Sequence, residues 1–283
     1  MTVVIGLLHP GDMGSMVGAA AKAGGARVLW MSEGRSPASR KRAESGGLEE
    51  AGTLGQLVKA SDVILSVCPP HAALDVARAV TAQRFAGLYV DGNAVSPATA
   101  REIGAVVEAG GASFVDGGIV GPPPQNRGTT RLYLSGKDAV RLVPFFAAGP
   151  LEAIVVDGPA GAASALKMAY ASYTKGSAAL LMAIRALAAA EGIDAALLAE
   201  WQRSQPDLAA RSESAAGRNA KKAWRFVGEM EEIAATFADA GLPDGFHQAA
   251  AEIYRRMSGY KDAPPPSMAD VAQALLSKRG VTD

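Results

Sequence analysis

The first fourteen residues contain the feature that most restricts the fold of this chain: a strand-like run followed by a glycine-rich turn. The β-branched residues 3–5 predict a buried strand, and the small residues 15–23 predict a helix. Gly6, Gly11 and Gly14 lie between them. A strand, a tight turn and a helix N-terminus together expose free backbone N–H groups, so this segment predicts a phosphate-binding turn.

The turn departs from the glycine pattern of dinucleotide-binding proteins at one position. The pattern is Gly-x-Gly-x-x-Gly, and here His9 stands at the first glycine, ahead of Gly11 and Gly14. An ordinary strand-to-helix turn is the alternative interpretation. The strand and helix that follow at the expected spacing favour dinucleotide binding. We therefore predict that a cofactor is bound by Gly6, His9, Pro10, Gly11, Asp12, Met13 and Gly14.

Strands and helices alternate through the first half of the chain. Strands are predicted at 3–8, 27–31, 62–67, 87–91, 112–116, 130–135 and 152–156, with helices at 12–23, 37–45, 71–82, 97–109 and 137–147. This order predicts an α/β Rossmann-type fold with a doubly wound parallel sheet. Only helices are predicted afterwards, at 195–203, 219–240, 245–257 and 268–278. We expect a dinucleotide-binding domain at 1–157, a long interdomain helix at 158–191 and an all-helical substrate and dimerisation domain at 192–283.

Composition excludes several classes of protein. The 283 residues carry no net charge, which argues against a nucleic-acid-binding surface. Cys68 is the only cysteine, so no disulfide is possible and a reducing, cytoplasmic location is expected. We recognise no signal peptide, membrane span or metal-ligand spacing of histidines. A small-molecule substrate is therefore the expected partner, with neither nucleic acid nor membrane.

The end of the second predicted strand carries the residues that choose between NAD and NADP. A carboxylate there binds the ribose hydroxyls of NAD, whereas an arginine accommodates the 2′-phosphate of NADP. Ser32, Arg35, Ser36 and Arg40 cluster at this point, and Glu33 is the opposing carboxylate. A guanidinium matches two phosphate oxygens, so we favour NADP, bound by Ser32, Arg35 and Ser36. Solvated arginines and NAD binding are the alternative.

Lys167 is the candidate catalytic residue because it lies in a helix of small residues. Burial among alanines favours the neutral amine, which suits proton transfer. At about 100° per residue, its helix face also carries Ser164, Tyr170, Ala171 and Thr174. A lysine that extends past alanines to solvent is the alternative. The alanine- and leucine-rich helix at 161–191 is too apolar to be solvated on all sides, so we expect a homodimer.

These motifs, taken in order, resemble the β-hydroxyacid dehydrogenase superfamily. The resemblance also rests on Cys68-Pro69-Pro70, on residues 91–97, on residues 116–121 and on Gly158-x-x-Gly161 ahead of Lys167. The superfamily includes 3-hydroxyisobutyrate and 6-phosphogluconate dehydrogenases and, more distantly, imine reductases. Residues 224–233 and 241–246 resemble a branch whose helical domain is described as a 6-phosphogluconate-dehydrogenase-like C-terminal domain.

The resemblance implies roles for further residues. Lys167 would be the general acid/base, with Tyr170 as a second catalytic candidate, in a cleft between the two domains. Cys68, Pro69, Pro70 and Asn93 would contact the cofactor. The implied substrate-binding residues are Val95, Ser96, Ile119, Val120, Gly121, Ala171 and Thr174.

The chain departs from the superfamily at three of these positions. The usual Ser-Gly-Gly of the substrate loop is Val120-Gly121-Pro122, the usual asparagine one turn after the lysine is Ala171, and Asn93 replaces a serine. A substrate carboxylate thereby loses a hydroxyl donor and, at Pro122, an amide donor. We predict an NADP-dependent oxidoreductase of a small carbonyl or alcohol. An imine or ketimine reductase and an NADP-binding sensor or scaffold without turnover are the alternatives.

Overall fold

Residues 2–277 are described by this computed structural model. An eight-stranded sheet forms the centre of the first of its two compact units, Met1–Met168. Its strands are β1 (Val4–Leu7), β2 (Arg27–Met31), β3 (Glu49–Gly52), β4 (Val63–Ser66), β5 (Leu88–Asp91), β6 (Ser113–Val120), β7 (Thr130–Ser135) and β8 (Leu151–Val155). They lie in the order β3-β2-β1-β4-β5-β6-β7-β8. The strand order reverses between β1 and β4, where ligands bind in open sheets of this kind.

The predicted Rossmann-type sheet is confirmed, with a difference at one edge. Strands β1 to β6 pair in parallel, β6 and β7 pair antiparallel, and β7 and β8 are again parallel. β7 and β8 therefore run opposite to the others, whereas the sequence predicted a parallel sheet throughout. Residues 121–129 connect β6 to β7 without a crossover helix, and a connection this short joins neighbouring strands only when they are antiparallel.

Helices cover both faces of the sheet. They are α1 (Asp12–Ala23), α2 (Pro37–Ser45), α3 (Leu54–Ala60), α4 (Ala73–Ala82) and α5 (Pro97–Ala109), with short 3₁₀ helices at Pro70–Ala72 and Ala139–Phe146. One apolar cluster on each face contains buried side chains such as Leu7 and Val90 on one side and Ile64 and Tyr89 on the other. Strands buried on both faces explain the apolar runs of the sequence.

Some local elements differ from their predictions. β3 and α3 were not predicted, because β3 contains two glutamates and no β-branched residue and α3 has only 7 residues. The segment predicted as a helix at 137–147 is a 3₁₀ helix that contains Pro144. Proline removes a backbone donor, which disfavours a regular α-helix there.

The rest of the described chain is helical. Its helices are α6 (Ala162–Ala190), α7 (Asp194–Ser204), α8 (Asp207–Asn219), α9 (Ala223–Asp239), α10 (Gly245–Arg256) and α11 (Met268–Leu276). No strand follows β8 among residues 2–277, in agreement with the predicted all-α region. α8 was not predicted, and position 278 of the last predicted helix lies outside the described residues.

The chain divides into two compact units, Met1–Met168 and Ala169–Asp283. α6 begins in the first unit and continues into the second. The predicted division into 1–157, 158–191 and 192–283 stays a prediction. Within residues 2–277, none of the helices combines the length and the apolar character needed to cross a membrane.

Candidate active site

Gly14 and Gly11 in the turn between β1 and α1 serve different purposes. A Cβ on Gly14 would meet the backbone oxygen of His9 at 2.1 Å, so the turn closes only with glycine there. A Cβ on Gly11 would meet no atom within 4 Å. Gly11 also precedes the first residue of α1, whose N-terminal amides favour an anion. No protein packing requires glycine at position 11, and its open side fits a phosphate group approaching the backbone.

Two other predicted residues of this segment have protein partners. A Cβ on Gly6 would lie 2.4 Å from Ser61 Oγ and 2.8 Å from Ile64 Cδ1. Gly6 is therefore explained by packing in the middle of β1. Asp12 forms an ion pair with Arg42 on the protein surface, with 2.6 Å between Asp12 Oδ1 and Arg42 Nε. Pro10 is buried, and Met13 packs against the core on one face of the sheet.

His9, Arg35 and Cys68 lie close together near the ends of β1, β2 and β4. Burial, and secondarily the nearby Arg35 guanidinium, lowers the pKa of His9 to about 4. Burial likewise lowers the pKa of Arg35. Burial, with the added effect of Asp91, raises the pKa of the Cys68 thiol to about 12. The imidazole and thiol are thus neutral at pH 7, and Arg35 supplies the positive charge of this cluster.

Two nitrogen atoms of this cluster are buried without a hydrogen-bond partner in the described structure. They are Nδ1 of His9 and Nε of Arg35. A buried nitrogen without a partner lowers the stability of the fold unless a ligand or water forms a hydrogen bond with it. Together with the open side of Gly11, they fit the polar groups of a dinucleotide cofactor.

Ser32, Arg40 and Ser36, which also follow β2, interact with other protein groups. The Ser32 hydroxyl and the Arg40 guanidinium together lower the pKa of Glu50. Arg40 Nη1 lies 2.7 Å from Glu50 Oε2. Ser36 caps α2, because its Oγ accepts the N–H of Ser39 at 3.2 Å. Of the predicted NADP-binding residues at this strand end, Arg35 retains an unpartnered nitrogen.

Asn93 cross-links the ends of β4 and β5. Its Nδ2 donates to Asp91 Oδ2 at 2.7 Å and to Ser66 Oγ at 3.2 Å. Its Oδ1 accepts the Cys68 N–H at 2.5 Å. Both amide hydrogens and the amide oxygen are used in this buried network. The structure therefore gives Asn93 a positioning role for the Cys68-Pro69-Pro70 segment, whereas contact of these residues with a cofactor stays a prediction.

Asp116 on β6 holds the first turn of α6 in place. Its fully buried carboxylate accepts the backbone N–H groups of Gly161 at 2.9 Å and Ser164 at 3.0 Å. It also accepts the hydroxyls of Ser164 and of Ser135. Ser135 Oγ in turn accepts the N–H of Ala163 at 3.0 Å. Since the protein itself satisfies these amides, the start of α6 is a fixed support for the residues that follow.

Lys167 follows on α6 and lies against β6. A Cβ on Gly118 would be 2.7 Å from the Ala163 oxygen and 2.9 Å from Lys167 Cβ, so glycine permits this close approach. The Lys167 ammonium donates a hydrogen bond of 2.7 Å to the carbonyl of Ile119. Lys167 is half-buried. The structure thus brings Lys167 to the strand that carries Ile119 and Val120.

The predicted substrate-binding residues of the first unit are mostly enclosed. Val95 and Val120 are buried. Ser96 is also buried and caps α5, since its Oγ accepts the N–H of Thr99 at 3.1 Å. Gly121 has a φ of 121°, where a side chain would be strained. The Ile119 carbonyl, bound to Lys167, is the polar group that this segment directs at the candidate catalytic residue.

Tyr170, Ala171 and Thr174 belong to the second unit. Tyr170 is half-exposed and Ala171 is buried. Thr174 Oγ1 donates to the Tyr170 carbonyl at 3.3 Å. Thr174 also lines a cleft of about 600 Å³ between α6 and α8, together with Arg211 and Arg218. Their predicted substrate contacts stay predictions.

Several structural residues of the site were missed by sequence reasoning. Asp116, Ser135 and Gly118 hold α6 against β6. An aspartate at the end of the predicted strand 112–116 was the available signal for Asp116. Its partner, the start of α6, lies 45 residues further along the chain, so sequence spacing could not identify it. No group of three or more metal-ligating side chains that could hold an ion occurs within residues 2–277.

Two family models match the chain. The NAD binding domain of 6-phosphogluconate dehydrogenase matches residues 3–144, and a domain of unknown function, DUF1932, matches residues 188–257. An uncharacterized 28.5 kDa protein of Methanothermus fervidus is 35% identical over 157 residues, which are 55% of this chain and 59% of that protein. The chain thus aligns with about three fifths of the length of that relative.

Solved structures share the fold over nearly the whole chain. Mycobacterium tuberculosis 3-hydroxyisobutyrate dehydrogenase with L-serine has a TM-score of 0.72 at 20% identity, covering 98% of this chain and 100% of that one. An imine reductase variant from Myxococcus stipitatus in complex with NAD⁺ has a TM-score of 0.54 at 20% identity, with the same coverage. With its sheet order and the matched domain at residues 3–144, the chain belongs to the NAD(P)-binding β-hydroxyacid dehydrogenase superfamily.

Proposed function

We propose that this protein is an NADP-dependent oxidoreductase acting on a small carbonyl or alcohol, with Lys167 as general acid/base. The observation that carries the proposal is the placement of Lys167. Its ammonium lies 2.7 Å from the Ile119 carbonyl oxygen. Asp116 anchors the start of α6, the helix that carries Lys167. A half-buried charged donor that α6 holds against the end of β6 is suited to move a proton to or from a substrate oxygen.

The cofactor, when bound, supplies the hydride chemistry. This chain contributes binding and orientation. Gly11 leaves its side of the turn open, and the first amides of α1 favour the charge of a pyrophosphate. Asn93 fixes the Cys68 segment by hydrogen bonds that need no ligand. A site preorganised in this way loses little entropy on binding.

In the described structure the Lys167 Nζ–H donates a hydrogen bond to the Ile119 carbonyl, and the proton stays on Nζ. A substrate carbonyl oxygen that takes the place of this acceptor receives the same proton during reduction. In the reverse direction the neutral amine accepts the proton of an alcohol. We propose the half-exposed phenol of Tyr170 as a second proton donor.

Replacement of Lys167 by methionine tests this role. Lys167→Met keeps the length of the side chain and removes the amine, so kcat should fall by about 10²–10⁴-fold while NADPH affinity is unchanged. Lys137→Met removes an exposed lysine and is the matched control. Undiminished turnover in Lys167→Met would contradict the role of Lys167. Binding of NADPH without turnover of any carbonyl, alcohol, imine or amine by the native protein would favour the sensor or scaffold function.

The preference for NADP rests on Arg35. Its buried Nε has no partner in the described structure, whereas Glu33 is exposed. We expect calorimetric titration to show NADPH binding at least about tenfold tighter than NADH, a difference of about 1.4 kcal/mol. Arg35→Ala should remove this preference and leave NADH binding unchanged. Tighter binding of NADH by the native protein would instead assign the specificity to Glu33.

An imine or ketimine is the second candidate substrate, and the loop after Ile119 is the observation that favours it. Val120 has no side-chain hydroxyl and Pro122 has no N–H, so neither residue supplies the donor that would bind a substrate carboxylate. An imine without a carboxylate needs no such donors. Parallel screens of hydroxy acids, ketones and cyclic imines with NADP(H) separate these substrates.

We also propose a homodimer formed through α6. Tyr173, Leu180 and Leu187 repeat at seven-residue spacing on this helix and are 65%, 44% and 61% exposed. Apolar side chains at this spacing lie on one face of a helix, which water solvates poorly. Sedimentation of the native protein should give a dimer mass. Leu180→Glu, which places a charge on this face, should shift the mass toward that of a monomer.

A further inference from the structure

The end of α4 differs from the ends of comparable helices in the chain. Five helices, α1, α2, α5, α6 and α9, are followed two residues later by a glycine with positive φ: Gly25, Gly47, Gly111, Gly192 and Gly241. At the same place after α4 stands Arg84, with a φ of 58°. Among residues 2–277 it is the only non-glycine residue with positive φ.

Arg84 destabilises the fold at this position, whereas glycine would not. In the left-handed region the Cβ of an L-residue crowds the backbone, which destabilises the fold. Glycine ends helices without this cost. A strained residue that the fold does not require is a reason to look for a use of its side chain.

The Arg84 side chain lines a cleft of about 780 Å³. The cleft lies at the amino ends of parallel strands β4, β5 and β6, since its other lining residues include Asp62, Leu88 and Ser113. The glycine-rich turn follows the carboxyl end of β1, which runs parallel to β4. The cleft and the turn therefore lie at opposite edges of the sheet, and the cleft is separate from the candidate active site.

Positive charge predominates in this cleft. Lys59, Arg84 and Arg141 line it, against one carboxylate, Asp62. Asp62 already accepts the N–H of Val4 at 2.9 Å, and Arg141 pairs with Asp138 at 3.3 Å. Within residues 2–277, Lys59 and Arg84 form no ion pair, in contrast to Arg78 on the same helix, which pairs with Asp75 at 3.2 Å.

We propose that this cleft binds a small multivalent oxyanion, through the Arg84 guanidinium and the Lys59 ammonium. A guanidinium presents parallel N–H donors to two oxygens of one phosphate or carboxylate group, and an ammonium adds a point charge. Ser113 and Gln83 supply neutral donors in the same cleft. A phosphate and a polycarboxylate share this chemistry. The bound anion offsets the repulsion of the two cations and gives the strained Arg84 its function.

Thermal unfolding of the full chain, at constant ionic strength set with sodium chloride, tests the proposal. Inorganic phosphate forms one arm and citrate the other. One or both should raise the unfolding temperature of the native protein, and the anion that does so identifies the class. Arg84→Gly should unfold at a higher temperature than the native protein when no anion is added, because the strain is gone. Its affinity for the anion should be weaker by at least about tenfold.

Controls separate the cleft from other cations. Arg78→Ala removes a cation of α4 outside the cleft, so this variant should respond to anions as the native protein does. Lys59→Ala should weaken binding as Arg84→Gly does. An equal response of Arg84→Gly and the native protein, or no stabilisation of the native protein by either anion beyond that of chloride, would overturn the proposal. Neither result depends on cofactor binding or turnover.

Discussion

The anchoring of α6 by Asp116 leads to a graded prediction for two substitutions. The carboxylate is fully buried, and its Oδ2 accepts three hydrogen bonds, from Ser135 Oγ, Gly161 N and Ser164 N. Its Oδ1 accepts one, from the Ser164 hydroxyl. Asp116→Ala removes all four acceptor contacts and leaves buried donors without partners. Asp116→Asn keeps an oxygen at the position of Oδ2.

The magnitudes follow from these contacts. Loss of a helix cap costs about 1–2 kcal/mol, and each buried unsatisfied donor adds about 1–3 kcal/mol. Since the donors relax partly toward other acceptors, we expect Asp116→Ala to lower the free energy of unfolding by about 3–5 kcal/mol. In Asp116→Asn the new amide group meets a hydroxyl that can rotate and accept, so the loss should be about 1–2 kcal/mol.

Urea unfolding at 25 °C measures both variants against the native protein. Asp75→Ala is the control, because this aspartate is 81% exposed and its pair with Arg78 should contribute less than about 1 kcal/mol. Asp116→Ala should also reduce turnover more than Asp116→Asn, since Lys167 follows Ser164 by one helical turn. Equal stability losses for Ala and Asn, or a loss below about 1 kcal/mol for Ala, would refute the anchoring role.

Three further predictions concern the turn and the helical unit. Gly14→Ala should destabilise the fold by about 2–4 kcal/mol because its Cβ would meet the His9 oxygen at 2.1 Å, whereas Gly11→Ala should leave unfolding unchanged and weaken NADPH binding in a calorimetric titration. Because the pKa of His9 is lowered from 6.5 to about 4 in the folded protein, the unfolded chain binds more protons between these values, and stability should decrease as pH falls through this range. The loss should approach about 3 kcal/mol at pH 4 and be absent in His9→Gly, so parallel pH profiles of the two proteins would contradict it. Lys175 and Glu229, with side chains 13% and 12% exposed, form an ion pair of 2.5 Å, so Lys175→Met should cost about 3 kcal/mol in urea unfolding, most of it recovered by adding Glu229→Met.

Local patterns in the sequence were sufficient to predict the first unit in outline. The strand at β1, the turn and α1 are adjacent in the chain, so hydrophobic pattern and glycine spacing identified them. β3 was missed because its two glutamates and its short length resemble a loop, and it forms a strand only through pairing with β2. The antiparallel pairing of β7 with β6 was likewise not predicted, because the alternation of strands and helices does not indicate the direction of a strand.

The candidate site shows the same division. Lys167 was recognisable as a lysine among small residues, and Gly11 and Gly14 were recognisable as a pair. Only the backbone coordinates show that they differ: the space beside Gly11 is open, whereas the His9 oxygen fills the space beside Gly14. Ser36 was predicted to bind cofactor and caps a helix, because a serine before a proline serves either purpose in sequence.

The sequence by itself determined the class of fold, and it identified the glycine-rich turn and Lys167 as candidate sites, because both the strand–helix pattern and these two segments are local in the chain. Tertiary structure decided which polar groups form hydrogen bonds within the protein and which have no partner there. Asp116 meets the start of α6 across 45 residues, whereas Arg35 retains a buried nitrogen without a partner among residues 2–277. Hydrogen bonds between distant segments are fixed by packing, and packing depends on the whole chain at once.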